Sequence, residues 1–109
     1  MLALNPNFYE AWYGRGFALY NLGQPTDAIA SFDRTIALKP DYHPAWYDRA
    51  RCYAAQGAIQ PALENLKKAI DLNTANPLEY KEMVQRDSVF DTLRRNDFIS
   101  TFNTIPLGF

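Results

Sequence analysis

The sequence contains very little of the material from which enzyme and metal sites are usually built. Its 109 residues include one cysteine, Cys52, and one histidine, His43, so neither an internal disulfide nor the usual Cys and His cage around zinc is expected. The five glycines form no phosphate-binding loop. We expect Cys52 to lie inside a helix, partly buried and unreactive, and His43 to lie in an exposed turn before Pro44. The sequence therefore predicts neither an enzyme nor a cofactor-binding protein.

An excess of one charge and long apolar runs are also missing. Eleven basic and 12 acidic residues give a formal net charge of −1 at pH 7, and the basic pairs at 67–68 and 94–95 are too short for a nucleic-acid footprint. No apolar run approaches the roughly 18–20 residues of a membrane span. We therefore expect no nucleic-acid or membrane partner, and the lone thiol fits a cytoplasmic protein. Four scattered aspartates are expected to be solvated: Asp27, Asp33, Asp41 and Asp48.

One short phrase occurs three times along the chain. It reads LALNPNFYEAW over residues 2–12, IALKPDYHPAW over 36–46 and IDLNTANPLEY over 70–80. Trp12 and Trp46 are 34 residues apart, and the leucines of the phrase follow the same step. A fixed period between about 20 and 50 residues is the signature of stacked structural repeats. We therefore predict two full repeats, over residues 9–42 and 43–76.

The sequence pattern of each repeat predicts two helices. The first helices run roughly over residues 9–22 and 44–56, and the second helices over 25–38 and 60–72. Gly23 and Gly57 follow the first helices, where a left-handed residue can close the last turn. Pro25 suits a helix start, and Pro61 must lie in a first turn because an interior proline would cost about 3 kcal/mol. Small residues recur where the two helices would approach each other closely: Gly16, Ala28, Ala50 and Ala62.

This pattern resembles the tetratricopeptide repeat, with its W-x2-L-G-x2-Y, then A-x3-F, then P. The first copy reads Trp12-x2-Arg15-Gly16-x2-Leu19, Ala28-x3-Phe32 and Pro40, and the second reads Trp46-x2-Arg49-Ala50-x2-Tyr53 and Ala62-x3-Leu66. The resemblance implies an all-α fold, a right-handed solenoid of stacked antiparallel helix pairs. Two departures from the pattern, Arg15 and Arg49 in place of leucine, are expected to lay their stems over packed apolar surface.

The N-terminal residues match only the end of a repeat. Residues 2–6 correspond to the last turn and loop of a second helix, so we interpret residues 1–8 as the remnant of a preceding repeat in a longer array. A missing neighbour would leave an apolar face on the first helix. We therefore hypothesise a homo-oligomer that forms through this N-terminal face.

The C-terminal part departs from the repeat. Residues 77–102 are predicted to form the first helix of a third repeat, over 77–86, followed by a cap. We call this atypical helix the third helix, and Tyr80 stands at its tryptophan position. The cap resembles the segment D-x-x-F-x-x-L-R that closes many bacterial arrays of this family. We expect Phe90 and Leu93 to fold back on the third helix, a short final helix to carry Phe98, Ile99 and Phe102, and residues 103–109 to form a loose tail.

The resemblance implies a protein–protein interaction scaffold that binds a peptide or partner helix on the concave face of the first helices. Carrying the family's concave positions onto this sequence gives Tyr13, Phe17, Tyr20, Asn21, Tyr47, Arg51, Lys81 and Gln85. Helical spacing independently places Tyr13, Phe17 and Tyr20 on one face. The tyrosines would bury a partner segment, and Arg51 and Lys81 would receive a carboxylate. Alternatively, the tyrosines pack only against each other.

Two further alternatives concern the role of the whole chain. Some arrays of this family hold the C-terminal carboxylate of a chaperone with a clamp of lysine and asparagine. Tyr13 and Phe17 stand at the corresponding positions of the first copy, so the clamp is absent and a chaperone adaptor is not expected. The other alternative is a structural or self-assembly segment of a longer protein, with no peptide ligand of its own. The partner itself is not identified by the sequence, because one fold supports many functions.

Overall fold

The computed structural model describes residues 8–91, which form helices joined by short turns. They form α1 (Tyr9–Asn21), α2 (Pro25–Leu38), α3 (His43–Ala55), α4 (Ile59–Leu72) and α5 (Glu79–Arg86), followed by a 3-10 turn (Ser88–Phe90). No strand occurs within residues 8–91. The all-α prediction is confirmed, and the four helices predicted for the two copies agree with the structure to within one residue at each end.

The turns within the helix pairs have the geometry that the glycines predict. Gly23 has a φ of 77° and Gly57 a φ of 76°, so both occupy the left-handed region that side chains with a Cβ disfavour. Pro25 is the first residue of α2, and Pro61 is the third residue of α4. Neither proline therefore removes a hydrogen bond from a helix interior.

The helices of a pair touch at their small residues. A Cβ atom built on Gly16 would lie 2.6 Å from Cε1 of Phe32, far inside normal contact distance. Ala28, Ala50 and Ala62 are fully buried. The predicted close approach is confirmed, and at Gly16 it leaves no room for any side chain.

Two cationic side chains lie over each tryptophan ring. For Trp46 they are Arg49, 4.7 Å from the ring centroid, and Lys68, at 5.7 Å. Arg49 also donates from Nε to Oδ1 of Asn65 on the second helix of the pair, at 2.8 Å. The prediction that these arginines cover apolar surface is confirmed, and a hydrogen bond to the second helix is added. The first pair repeats the arrangement with Trp12, Arg15, Arg34 and Ser31.

The two pairs stack through α2 and α3. Fully buried Ala45 and Cys52 of α3 share an apolar cluster with Ala28 and Phe32 of α2. Arg49 adds an ion pair to Asp33, at 2.8 Å. Burial raises the pKa of the Cys52 thiol to about 12, which opposes thiolate formation. Cys52 is therefore more deeply buried than predicted.

The C-terminal residues pack against α3. Tyr80 of α5 stacks on Tyr47, with ring centroids 4.7 Å apart and planes 14° from parallel, and Phe90 is fully buried beside them. Asp87 accepts a hydrogen bond from the backbone N–H of Val89 and so caps the 3-10 turn. Phe90 shares a buried cluster with Tyr80 and Val84 of α5, the helix it was predicted to contact, and it also contacts Tyr47 of α3, which was not predicted. The predictions for residues 1–7 and 92–109, including Leu93, the final helix and the tail, lie outside the described residues.

Candidate functional site

A pocket opens where α1, α3 and α5 meet. Its volume is about 290 Å³, and neither α2 nor α4 contributes a lining residue. It is near the lower end of the size range of ligand pockets, so it suits one or two side chains of a partner. The lining residues are Tyr13, Phe17, Pro44, Tyr47, Asp48, Arg51, Glu79, Tyr80 and Met83.

The structure brings half of the predicted concave residues to this pocket. Tyr13, Phe17, Tyr47 and Arg51 line it, and Tyr20 lies next to it, with its ring 4.4 Å from the Arg51 guanidinium. Three other predicted residues are not among the lining residues. Asn21 and Gln85 are exposed, and Lys81 is half-buried on α5.

The aromatic rings at the pocket differ in how much surface they offer. Phe17 is 42% exposed, whereas Tyr47 is 2% and Tyr80 is 5% exposed. Tyr13 is half-buried and packs edge-on against Tyr42, with centroids 5.2 Å apart. Tyr47 and Tyr80 are therefore almost entirely covered by other residues of the chain, including each other's rings. Phe17 is the large apolar side chain of the pocket with the most surface available to a partner.

Asp48 forms the polar floor of the pocket, although it was predicted to be solvated. That prediction is wrong, because the residue is only 6% exposed. Its carboxylate accepts a short hydrogen bond from the hydroxyl of Tyr13 and pairs with Arg51 one turn further along α3, at 3.2 Å. Burial raises the pKa of Asp48, and the bonds from Tyr13 and Arg51 oppose that increase. Burial also raises the pKa of Tyr13, so its hydroxyl stays protonated and able to donate.

Arg51 is held between two carboxylates. Its Nη1 lies 3.2 Å from Oδ1 of Asp48, and its Nε lies 3.0 Å from Oδ2 of Asp87. Arg51 therefore joins α3 to the turn that follows α5. The guanidinium is thus already paired within the chain with two groups of negative charge, and its predicted contact with a partner's carboxylate stays a prediction.

His43 is also placed differently from its prediction. It is the first residue of α3 and is half-buried, instead of standing in an exposed turn. Its Nδ1 lies 2.6 Å from the hydroxyl oxygen of Tyr80, because α5 packs beside the start of α3. This contact fixes the Tyr80 ring at one wall of the pocket.

The polar residues that sequence reasoning missed are those that differ between repeats. Asp48 corresponds to Gly14 in the first copy, and Glu79 corresponds to Ala45 one repeat earlier. A comparison of equivalent positions therefore gives no signal for either carboxylate. The spacing of Asp48 and Arg51, three residues apart on one helix, was the one local sign of an ion pair.

Comparison with known proteins agrees with the geometry of paired helices. The family model described as tetratricopeptide repeat matches the sequence twice, over residues 2–43 and 18–77. The chain belongs to the tetratricopeptide repeat family. Repeats of this family generally mediate protein–protein interaction. A search of curated proteins gave no significant match. No helix that the tetratricopeptide chain forms between residues 8 and 91 is long and apolar enough to cross a bilayer.

Proposed function

We propose that this tetratricopeptide protein binds a peptide or a partner helix in the pocket between α1, α3 and α5, without a chemical step. The observation that carries the proposal is the exposed Phe17 ring beside a polar floor of buried Asp48 and half-buried Arg51. Binding sites combine apolar surface with a few fixed polar groups, which supply affinity and orientation respectively. The face that α1, α3 and α5 share provides both.

The interaction depends on burial of the Phe17 ring by the partner. Covering a large apolar side chain contributes about 1.5–3 kcal/mol, and affinity changes tenfold for every 1.4 kcal/mol. Tyr13 and Arg51 are already oriented by Asp48, so little side-chain freedom is lost when a partner binds them. Tyr20, Asn21, Lys81 and Gln85 would extend the same surface along a longer peptide.

The experiment is a selection of random dodecamer peptides displayed on phage against the immobilised full chain, followed by fluorescence anisotropy with the selected peptides. Phe17→Ser is expected to weaken binding by about tenfold or more. Leu22→Ser is the matched control, because Leu22 is 70% exposed at the end of the same helix and does not line the pocket. The proposal fails if the selected peptides bind Phe17→Ser as tightly as the unmodified chain.

A second candidate function, self-association through the outer face of α1, has its own observation. Ala18 is exposed, whereas its counterpart in the next repeat, Cys52, is fully buried under α2. We propose that α1 of a second copy covers this face. Sedimentation velocity of the full chain is expected to show a dimer that Ala18→Arg dissociates. A monomer at about millimolar concentration would contradict self-association and leave the peptide proposal unaffected.

A further inference from the structure

We infer that the pocket selects a lysine or arginine side chain of its partner. The inference rests on the proposed function, because it names the chemistry of the peptide that the same pocket would bind. The pocket has an apolar wall for the stem of a long side chain, in Phe17 and Met83. Its volume of about 290 Å³ suits one or two side chains, so a bound peptide or helix would insert a long side chain here while the rest of the partner stays outside.

The charge around the pocket has an excess of carboxylates. Asp48 and Glu79 line it, and Asp87 pairs with Arg51 from the turn after α5, so three carboxylates and one guanidinium lie at or next to the pocket. Arg51 is paired with Asp48 and Asp87. The negative charge that remains for a partner is therefore centred on Glu79.

Glu79 keeps its charge open to the pocket. One of its carboxylate oxygens accepts a hydrogen bond from the side-chain amide of Asn73, at 2.7 Å. This bond fixes the carboxylate without neutralising it, and within residues 8–91 no cation pairs with Glu79. The residue is half-buried in the first turn of α5, so an ion pair formed there is less screened by solvent than one on an open surface.

The aromatic rings support the same ligand. Tyr13 and Phe17 lie side by side on α1, with centroids 6.3 Å apart, and line the same pocket as Glu79. A cation that enters this pocket meets aromatic rings as well as the Glu79 carboxylate, and contacts between a cation and an aromatic ring add about 0.5–2 kcal/mol. Aromatic rings and carboxylates both favour a cation. A partner carboxylate would instead face Asp48 and Glu79, and like charges placed together disfavour binding.

The test uses the dodecamer peptides whose binding Phe17→Ser weakens. We expect lysine and arginine to be enriched over aspartate and glutamate among them. Replacing the key lysine or arginine with norleucine is expected to weaken binding to the unmodified chain by about tenfold. In the Glu79→Gln protein, the same norleucine replacement in the peptide is expected to weaken binding by threefold or less. The glutamine has already removed roughly half of the affinity that the cation gains from the ion pair and the aromatic rings. Glu82→Gln is the matched control, since Glu82 is exposed on the same helix and does not line the pocket.

Three results would separate the two proposals. The first result is a tenfold loss of affinity on norleucine replacement that becomes smaller in Glu79→Gln and stays the same in Glu82→Gln. This result supports a cationic side chain in the pocket. Peptides that depend on Phe17 but carry no cation, or tolerate norleucine, would overturn this inference and leave the proposed function standing. If no selected peptide depends on Phe17, both proposals are overturned. Circular dichroism of each variant verifies that it is folded.

Discussion

At the scale of single residues, Gly16 is the glycine within residues 8–91 at which the fold leaves the least room for a side chain. An added Cβ would meet the ring of Phe32 at 2.6 Å, whereas one added at Gly14 would meet nothing within 4 Å. Both glycines lie in α1, so replacing either with alanine brings the same gain in helix propensity of about 1 kcal/mol. The difference between the two variants therefore measures the contact between the helices of a pair.

We predict that Gly16→Ala lowers the free energy of unfolding by about 1–3 kcal/mol relative to Gly14→Ala, because overpacking at Phe32 forces the helices apart. Urea unfolding followed by circular dichroism gives both values. Equal stability of the two alanine variants would show that the pair is looser than the structure indicates.

Asp48 gives a prediction about pH at the same scale. Burial raises the pKa of its carboxyl above the ordinary value of 3.8, despite the bonds from Tyr13 and Arg51. The folded state therefore holds this proton more tightly than the unfolded chain does. Its stabilising contribution is complete below about 3.8 and is lost as the pH rises through the higher pKa of the folded state.

The unmodified chain should thus lose stability relative to Asp48→Asn as the pH rises from about 3.8 and then reach a plateau. Urea unfolding of both proteins at a series of pH values measures this difference. A relative stability that increases over the same range would mean that the ion pair with Arg51, rather than burial, determines the pKa of Asp48.

Single residues were predictable where the repeats agree with each other. Gly16, Ala28 and Trp46 stand at positions that recur, and the structure places them at the predicted contacts. Asp48 was not predictable, because its burial depends on Tyr13, 35 residues away on another helix, and on α5. The local sequence around an aspartate contains no information about such a partner.

At the scale of elements, the end of α5 depends on a single carboxylate. Asp87 accepts from the N–H of Val89 at 3.2 Å and pairs with Arg51 at 3.0 Å. It therefore starts the 3-10 turn that places Phe90 against Tyr47, and it holds that turn on α3.

We predict that Asp87→Ala lowers the free energy of unfolding by about 1–3 kcal/mol, because the cap on Val89 and the ion pair with Arg51 are lost together. Amide hydrogen exchange should increase first in α5 and the 3-10 turn. Asp71→Ala, at an exposed position of α4, is the control and should change stability by less than about 0.5 kcal/mol. Similar effects of the two substitutions would contradict the capping role.

The helices of the two copies were predictable because glycine and proline mark their ends. The helix that follows the two copies was less predictable, because it was expected to begin at residue 77, whereas α5 begins at Glu79. The preceding residues form turns instead, in which the N–H of Asn76 bonds to the carbonyl of Asn73 and that of Glu79 bonds to Asn76. No glycine or helix-starting proline at residue 79 marks this later start.

At the scale of the molecule, α3 is the centre of the described structure. Its Ala45 and Cys52 belong to the cluster shared with α2, and its Tyr47 and Ala50 belong to the cluster shared with α4 and α5. The same helix supplies the polar floor of the pocket. Repeat proteins are stabilised by contacts between neighbours, so the pocket exists only where three first helices are stacked.

The stacking was predictable from the 34-residue period, but the character of the pocket was not. The family positions supplied Tyr13, Phe17 and Arg51, and they predicted an attraction for carboxylates. The structure adds Asp48, Glu79 and Asp87, which belong to different helices or turns and reverse the expected charge. Charge at such a site is a property of the assembled helices, and no single repeat contains it.

The most direct test of the proposed binding face is a two-dimensional ¹H–¹⁵N spectrum of the labelled full chain during titration with a peptide from the phage selection. We predict that the signals that change most belong to α1, α3 and α5, around Tyr13, Phe17, Asp48 and Tyr80, and that the outer faces of α2 and α4 are unaffected. Changes concentrated in α2 and α4, with none at the pocket, would contradict the account.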